Sequence, residues 1–307
     1  MNKMEYTQEG LIKYICEKVD GIGDKTADRI AGYMEDLLNF YENTNLLSNF
    51  VSAKGKRFIK DVQITEITEK INEYILNPRM EITQIWISVL IKDFVKNSVN
   101  ELRNTTLEKL LINPFLVKAF GFEDHEEVVS FYFYQKITRS VVTSWGFTVE
   151  GLLLCSGAEK TDLAGFDMKV ERGNKTFQLQ IKSSPNTMSI EQIRQLNTHI
   201  RNIKNRIQNI PILGMTYGTR EQISNQIQST LKDYPKSTKV GKELWDFIAN
   251  ENGYCIKLLE LINDITINSH FKFSYELENK KKLLIKDWEN KYGKGKKSVD
   301  FVLSKYI

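Results

Sequence analysis

The sequence predicts an α/β core, a mixed β-sheet flanked by helices, with mostly helical extensions before and after it. Three observations carry this prediction. Apolar residues recur at helical spacing over residues 1–112, two alternating segments meet at Gly173-Asn174, and a capped amphipathic segment precedes a buried apolar run. With 307 residues, 41% of them hydrophobic, the chain can bury one large core, or a core and a smaller appendage.

The amino-terminal region is predicted to be helical. Helical spacing of apolar residues holds until Gly21-Ile22-Gly23 interrupts it, and a second periodic run begins at Ala27. The pattern breaks again at Asn77-Pro78. Asn113-Pro114 marks the boundary after which the sequence predicts both helices and strands. We therefore expect residues 1–112 to form a helical N-terminal region.

The first interruption has a further interpretation. The segment from Val19 to Ile30 resembles a helix-hairpin-helix motif, whose core is hydrophobic-Gly-hydrophobic-Gly, although Asp20 replaces the usual apolar or proline residue. The resemblance implies a tight turn that presents backbone amides to DNA phosphates at a helix start, independently of base sequence. The residues implied in this contact are Gly21, Gly23, Lys25 and Arg29. An ordinary αα-hairpin with a glycine-rich turn is the alternative.

The most informative segment is residues 165–182, which alternate apolar and polar residues on both sides of Gly173-Asn174. This pattern predicts a β-hairpin with a two-residue loop. In that register Asp167 lies directly opposite Gln180, with Cβ atoms roughly 5 Å apart on one face. Lys182 follows on the same face, one alternation further along the strand.

These three side chains have the chemistry of metal-assisted phosphodiester hydrolysis. The oxygens of Asp167 and Gln180 suit Mg²⁺, a hard ion that prefers oxygen ligands. A lysine at the position of Lys182 can orient the attacking water or stabilise developing charge. A strand with a polar, solvent-facing side explains the same residues without any chemistry, and this alternative stays open.

The segment resembles the PD-(D/E)XK nucleases, with Asp167 as the first acid and Gln180-Ile181-Lys182 where Glu-X-Lys is commoner. Glutamine at this place is a known variation among restriction enzymes and Mrr-like nucleases, and it removes one negative charge. The family commonly supplies a further carboxylate from a preceding helix, for which Glu150 is the candidate, ahead of Asp162 and Glu171. The resemblance implies Mg²⁺ as the cofactor, with Mn²⁺ as a substitute.

The residues after the lysine narrow the resemblance to type II restriction endonucleases. Ser183-Ser184-Pro185-Asn186-Thr187 resembles a Ser-Gly-Pro-Asn-Thr run that follows the catalytic lysine in one group of them, with Ser184 in place of glycine. Further similarities are Asn113-Pro114-Phe115-Leu116, Tyr217-Gly218 and Gly241 to Phe247. The resemblance covers roughly residues 113–262, implies a restriction-endonuclease-like fold for them, and makes Ser183, Ser184 and Asn186 candidate DNA contacts.

The remaining core elements follow from local signals. Pro185 ends the strand, and Ser189 with Gln192 forms a capping box that starts a helix. The predicted apolar stripe of that helix is Ile193, Leu196, Ile200, Ile203 and Ile207. Arg194 lies elsewhere on its surface, either as a phosphate contact or as part of a solvated face. Residues 211–217 are predicted to be a buried strand.

The last segment, residues 263–307, is predicted to be a helical, lysine-rich extension. A helix is expected around residues 275–291, followed by a flexible stretch from Gly293 to Lys297. The domain organisation is thus an N-terminal helical region (1–112), a nuclease core (113–262) and this extension.

Composition excludes several classes of protein. The net charge of +4 is compatible with nucleic acid without requiring it. No apolar run approaches the ~20 residues of a membrane span, and no signal-peptide pattern opens the chain. The three cysteines are distant and odd in number, which argues against a disulfide framework or a cysteine-based zinc site. We expect a cytoplasmic protein with no membrane partner.

The predicted function is that of a type II restriction endonuclease, which hydrolyses double-stranded DNA at a short specific site with Mg²⁺. The expected partners are DNA, a second copy in a homodimer that cuts both strands, and a cognate DNA methyltransferase that acts as a functional rather than a physical partner. Two alternatives remain. One is an Mrr-like or repair nuclease for modified, branched or damaged DNA. The other is a DNA-binding protein with a degenerate core, which Gln180 favours and Lys182 disfavours.

Overall fold

The computed structural model describes residues 6–52, 55–75, 77–203, 207–268 and 272–305, which form α-helices and one five-stranded sheet. The helices are α1 (Gln8–Glu17), α2 (Asp24–Met34), α3 (Leu37–Glu42), α4 (Asp61–Tyr74), α5 (Ile82–Arg103), α6 (Pro114–Ala119), α7 (His125–Cys155), α8 (Ile190–Asn202), α9 (Asn225–Thr230), α10 (Lys242–Ala249), α11 (Tyr254–Asn268), α12 (Phe273–Tyr292) and α13 (Gly295–Leu303). The strands are β1 (Glu159–Lys160), β2 (Met168–Arg172), β3 (Lys175–Lys182), β4 (Asn209–Met215) and β5 (Thr238–Val240). None of the described helices has both the length and the apolar character needed to span a membrane.

The chain divides into two compact units, each built from two separate stretches. The first consists of Met1–Leu90 and Val149–Ile265, and the second of Ile91–Thr148 and Thr266–Ile307. Because the first unit joins the amino-terminal helices to the sheet, this division differs from three consecutive segments. The predicted regions 1–112, 113–262 and 263–307 were defined by function rather than by compactness, and they stay a prediction.

The sheet of the first unit is mixed, as predicted. Its strand order is β1-β2-β3-β4-β5, antiparallel from β1 to β3 and parallel from β3 to β5. The hairpin of β2 and β3 has the predicted register, since Arg172 pairs with Lys175 and Met168 with Leu179. Gly173 occupies the left-handed region with φ of 56°, which suits a residue in a two-residue hairpin loop.

The two faces of the sheet have different partners. Residues paired across parallel strands point to the same side, so Gln180 shares a face with Leu213, and Lys182 with Met215. Leu213 and Met215 are buried in a cluster with apolar residues of α8 and α9. On the opposite face, Gly214 leaves room for a leucine side chain of α10. The candidate site residues of β3 therefore lie on the α8 side of the sheet.

Helix α8 begins as predicted and ends earlier. The hydroxyl of Ser189 accepts a hydrogen bond from the amide of Gln192, and the Gln192 side chain accepts one from the amide of Ser189, which completes the capping box. The helix ends at Asn202 because Ile203 takes an extended conformation, with φ of −60° and ψ of 120°. The predicted stripe is wrong beyond that point, since Ile207 is 85% exposed.

The second unit has its own apolar core around Phe133 and Trp288, with contributions from α7, α12 and α13. The expected helix around residues 275–291 is confirmed as α12. The expectation of a flexible stretch from Gly293 to Lys297 is wrong, because α13 begins at Gly295. The amide of Gly295 donates a 3.0 Å hydrogen bond to Nδ1 of the buried His125, which fixes this helix start.

Candidate active site

Asp167 and Gln180 are in direct contact. Asp167 precedes β2, and its amide donates a 2.8 Å hydrogen bond to the carbonyl of Leu179, which extends the hairpin by one step. Its carboxylate Oδ2 accepts two hydrogen bonds, from Gln180 Nε2 at 2.6 Å and from the amide of Ile181 at 2.7 Å. The register predicted from the Gly-Asn loop thus brings these two side chains together.

The same contact leaves two oxygens available. Among the described residues, none donates a hydrogen bond to Oδ1 of Asp167 or to Oε1 of Gln180. Asp167 is exposed and Gln180 is half-buried, so solvent reaches the pair. A carboxylate oxygen and an amide oxygen are ligands that Mg²⁺ accepts, and the residues present therefore fit a divalent metal ion.

Lys182 lies two residues beyond Gln180 on the same side of β3. Its carbonyl accepts a 3.0 Å hydrogen bond from the amide of Thr216, which continues the parallel pairing of β3 and β4. The side chain is half-buried, and no carboxylate in the described part of the chain forms an ion pair with its ammonium group. The positive charge of Lys182 is therefore available on the same face of β3 as Gln180.

Glu150, the predicted additional carboxylate, is engaged by a residue that the sequence did not indicate. It lies near the end of α7 and forms an ion pair with Lys160 of β1. Lys160 pairs with Met168 across the sheet, and because Met168 and Asp167 are neighbours along the hairpin, Lys160 points to the opposite face of the sheet from Asp167. Ten residues and a helix end separate Glu150 from Lys160, and no sequence pattern predicts that they meet.

The two lesser candidates differ from each other. Glu171 points to the same side of β2 as Asp167 but lies 2.7 Å from the ammonium of Lys169, which also contacts Glu159 at 3.1 Å. Asp162 is exposed and forms no ion pair within the residues that the structure describes. Neither has a contact that joins it to Asp167.

The turn before Asp167 is held against α8. Gly165 has φ of 87°, and a Cβ atom built on it would lie 2.2 Å from the imidazole ring of His199. The next residue, Phe166, is 8% exposed and belongs to the apolar cluster beneath α8. Helix α8 therefore fixes the backbone that leads to Asp167. The sequence does not predict this contact of Gly165 with His199.

Two glycines allow the loops that follow β3, β4 and β5 to pack closely. A Cβ atom on Gly218, where φ is 102°, would lie 2.5 Å from Cγ of Pro185. One on Gly241, where φ is 54°, would lie 2.4 Å from the carbonyl oxygen of Gly218. The loops that follow β3, β4 and β5 thus pack closely on one another, and Tyr217 stays 56% exposed at this edge.

The predicted DNA contacts of this loop lie close to Lys182. The carbonyl of Ser183 accepts hydrogen bonds from the Tyr217 amide and the Thr216 hydroxyl, and the hydroxyl of Ser184 accepts one from the Asn186 amide. The side chain of Asn186 is exposed. Arg194, on the first turns of α8, is also exposed and has no ion pair to any residue described.

The amino-terminal hairpin has the predicted turn. Gly21 has φ of 76°, and its Cβ position lies 3.2 Å from the side-chain nitrogen of Gln63, which donates to the carbonyl of Asp20. Gly23 is the N-cap of α2 with extended backbone, and a Cβ atom there would meet nothing within 4 Å. The fold therefore requires glycine at position 21 and leaves open space at position 23.

The charged residues of the hairpin are only partly available. Lys25 is exposed, while the guanidinium of Arg29 stacks over the ring of Phe58 at 5.1 Å. Lys13 forms ion pairs with Asp24 at 2.6 Å and Asp28 at 2.7 Å. Hydrogen bonds to these two carboxylates raise the pKa of the Lys13 ammonium. The surface of α2 thus carries acids as well as bases.

The second unit contains a group of possible metal ligands that the sequence did not single out. Ligand atoms of Asp124, His125 and Glu126 lie within 4.8 Å of one another. His125 is already engaged, since Nδ1 accepts from the Gly295 amide and Nε2 lies 3.4 Å from Glu289. This group lies at a helix start, its histidine is already engaged, and it contains none of the predicted metal ligands.

Comparison with known proteins gives one family. The family described as type II restriction endonuclease EcoO109I matches residues 81–269, more than half of the chain, and this stretch contains Glu150, Asp167, Gln180 and Lys182 but not the amino-terminal hairpin. No curated protein matches the chain.

Proposed function

This chain belongs to the type II restriction endonuclease EcoO109I family, and from that membership we propose that Asp167, Gln180 and Lys182 form its DNA-cleaving site. The protein is a site-specific deoxyribonuclease that binds DNA, and enzymes of this family generally use a divalent metal ion. The observation that carries the assignment is the contact of Asp167 with Gln180. It brings a carboxylate and an amide side chain together on the strand face that also carries Lys182, which has no ion-pair partner among the described residues.

Mg²⁺ is the proposed metal, with Mn²⁺ as a substitute. Asp167 would hold it through Oδ1 and Gln180 through Oε1, the two oxygens that accept no hydrogen bond from the described residues. Such an ion would supply polarisation of the scissile phosphate and of the attacking water. The amide of Ile181 holds the Asp167 carboxylate in the orientation in which it would bind the ion. Lys182 orients the attacking water and stabilises the negative charge that develops on the phosphate.

Glu150 is the proposed third carboxylate. Because glutamine replaces an acid at position 180, the site has one negative charge fewer, and a further carboxylate would restore it. The place of Glu150 on the helix before the sheet supports this role. Its partner Lys160, however, points to the opposite face of the sheet from Asp167, so the carboxylate has to leave that ion pair to reach the metal. Lys160 competes for the same carboxylate, so the ion pair sets how readily Glu150 turns to the metal.

DNA contacts are proposed for two regions. Around Lys182 they are Ser183, Ser184, Asn186 and Arg194, and support comes from the exposure of Asn186 and Arg194 and from the place of the loop beside the lysine. In the amino-terminal hairpin they are Gly21, Gly23, Lys25 and Arg29. Open space at Gly23 and the exposed Lys25 support them. The stacking of Arg29 on Phe58 and the acids of α2 favour instead the alternative of a plain αα-hairpin.

The proposed assembly is a homodimer, in which two copies of the site cut the two strands of a duplex. A cognate DNA methyltransferase would protect the same sequence in host DNA without binding this protein. Sedimentation at several protein concentrations, with and without duplex DNA, tests the dimer. A single-copy species that still makes double-strand breaks would argue against it.

The experiment for the function is digestion of long phage DNA by the purified protein with Mg²⁺, with Mn²⁺ and with chelator. We expect discrete fragments with either metal and intact DNA with chelator. A smear would indicate a nuclease without sequence specificity, of the Mrr-like or repair kind. Intact DNA in every arm, together with DNA binding, would indicate a binding protein with a degenerate core.

A further inference from the structure

The second unit contains a groove between one face of α7 and the segment of residues 109–116, here called the α7 groove. Its floor is Tyr132, which is 2% exposed and donates a 3.0 Å hydrogen bond from its hydroxyl to the carbonyl of Asn113. The side chain of Asn113 caps α6 by accepting from the amides of Phe115 and Leu116. Both walls are therefore fixed by hydrogen bonds.

One wall of the groove follows the helical repeat. Tyr132, Gln135, Lys136 and Arg139 line it, and three hydroxyl residues continue the row towards position 144. Residues three and four apart lie on one face of a helix, so these side chains form a continuous polar strip. Gln135 and Arg139 are exposed, one turn apart, and neither side chain has a hydrogen bond or ion pair within the described chain.

The charge of the lining has one sign. Lys109, Lys136 and Arg139 line the groove, and no described carboxylate does. Lys136 is partly neutralised by Glu101, whose carboxylate lies 3.1 Å from the Lys136 ammonium and does not line the groove. The ammonium of Lys109 donates only to the carbonyl of Asn104, at 2.8 Å, and Arg139 is without a partner among the described residues. At least two cations therefore face the groove uncompensated.

We propose that the α7 groove binds the sugar-phosphate backbone of the DNA substrate, through residues other than those of the cleavage site. The inference rests on the proposed function. A phosphate chain supplies the negative charge that the lining lacks, and most protein–DNA hydrogen bonds go to phosphate and sugar. Leu111, which is 85% exposed at the rim, provides an apolar contact for deoxyribose carbons. The polar strip of α7 holds the duplex in register without reading its bases.

The test compares DNA binding of wild type with that of Arg139→Gln and of the double variant Lys109→Gln/Arg139→Gln. Binding of a labelled mixed-sequence duplex is followed by fluorescence anisotropy in Ca²⁺ at several salt concentrations. The slope of log K against log salt should become shallower by about 0.9 for each phosphate that the variant no longer neutralises. Arg139→Lys should retain most of the slope, because the charge is kept.

Lys282→Gln is the matched control. Lys282 is exposed on α12 of the same unit and does not line the groove, so its replacement should leave the slope near that of wild type. Thermal unfolding of every variant excludes misfolding, and Lys109→Gln alone covers the case in which the double variant is unstable.

The outcomes separate the groove from the proposed function. If wild type does not cleave phage DNA with any metal, the proposed function fails. If wild type cleaves and the groove variants keep its salt slope, the groove inference is overturned. The groove inference is also overturned if the groove variants keep the salt slope of wild type but differ from it in sedimentation coefficient. The groove would then be an interface between protein chains.

Discussion

The side-chain nitrogen of Gln180 lies 2.6 Å from Oδ2 of Asp167, and the amide of Ile181 reaches the same oxygen at 2.7 Å. Both donors thus occupy one carboxylate oxygen, while Oδ1 and the glutamine oxygen accept no hydrogen bond from the described residues. The pair is held in a fixed orientation and still presents two ligands. This division of roles is the basis of the first and the last prediction below.

Asp167→Ala should abolish cleavage, because it removes the first metal ligand, while DNA binding persists in Ca²⁺. Asp167→Asn keeps the shape of the side chain and is the matched variant. We expect it to fold as wild type and to reduce the cleavage rate by at least about two orders of magnitude, on the scale seen when a group that stabilises the transition state electrostatically is removed. Cleavage rate with Mg²⁺ and anisotropy with Ca²⁺ are the two measurements. Full cleavage by a well-folded Asp167→Ala protein contradicts the assignment.

Glu150 and Lys160 give opposite predictions. Lys160→Met should lower the Mg²⁺ concentration for half-maximal cleavage, because it removes the cation that competes for the Glu150 carboxylate. Glu150→Gln should raise that concentration. Metal titrations of both variants and of their double variant check the pair. If neither change alters the metal dependence, the third carboxylate is Asp162 or Glu171, or the site works with two ligands.

The sequence predicted contacts between residues that are close along the chain, and it did not predict contacts between distant elements. The hairpin register followed from local chemistry, since a Gly-Asn loop and strict alternation leave one way to pair Asp167 with Gln180. The capping box of α8 was equally local. The ion pair of Glu150 with Lys160 and the packing of His199 on Gly165 depend on where separate elements meet, and spacing along the chain does not encode that.

The failures have the same origin. Ile207 continues the helical repeat of α8 in the sequence, yet the helix ends at Asn202 with Ile203 extended, and Ile207 is exposed. Gly293 to Lys297 has the composition of a flexible linker, yet the hydrogen bond from Gly295 to the distant His125 starts a helix there. In both places the folded chain overrode the local sequence pattern.

Gly165→Ala should destabilise the first unit by about 2–4 kcal/mol, because it adds a strained backbone conformation to a clash with His199. Gly173→Ala is the matched control. It has a similar positive φ with nothing within 4 Å, so only the conformational cost of about 1–2 kcal/mol should remain. Adding His199→Ala should recover part of the stability at position 165 and none at 173. Denaturant unfolding measures all four variants, and equal destabilisation at the two glycines would refute the packing argument.

The amino-terminal hairpin can be tested without disturbing its fold. Gly23→Ala adds a methyl group in open space, and Gly23→Ala/Lys25→Ala also removes one exposed charge. If phosphate approaches this turn, the double variant should bind all DNA sequences more weakly, with a salt slope shallower by about 0.9. Gly32→Ala, in open space within α2, is the control. Unchanged affinity and slope would leave an ordinary αα-hairpin.

Gln180 stands where the family more often has glutamate. Replacing it shows whether its side chain binds the metal ion or has no part in catalysis. Gln180→Glu keeps the shape and adds negative charge, which should tighten Mg²⁺ by Coulomb attraction even after screening. The new carboxylate also lacks the hydrogen bond that Nε2 donates to Asp167 and places two acids side by side until the metal binds. We therefore expect an active enzyme that needs less Mg²⁺, with a turnover number that falls if the water is held too strongly.

Gln180→Ala should remove most activity, since both the ligand and the support for Asp167 disappear. Gln178→Ala is a poor control because Gln178 is buried, whereas Thr176→Ala changes a half-buried residue on the same face of β3, away from Asp167. The Mg²⁺ concentration giving half-maximal cleavage, measured beside thermal unfolding, is the decisive quantity. If Gln180→Ala cleaves at an unaltered rate with unaltered metal dependence, Gln180 is an ordinary strand residue. Asp167 would then need its second ligand from Glu150, Asp162 or Glu171.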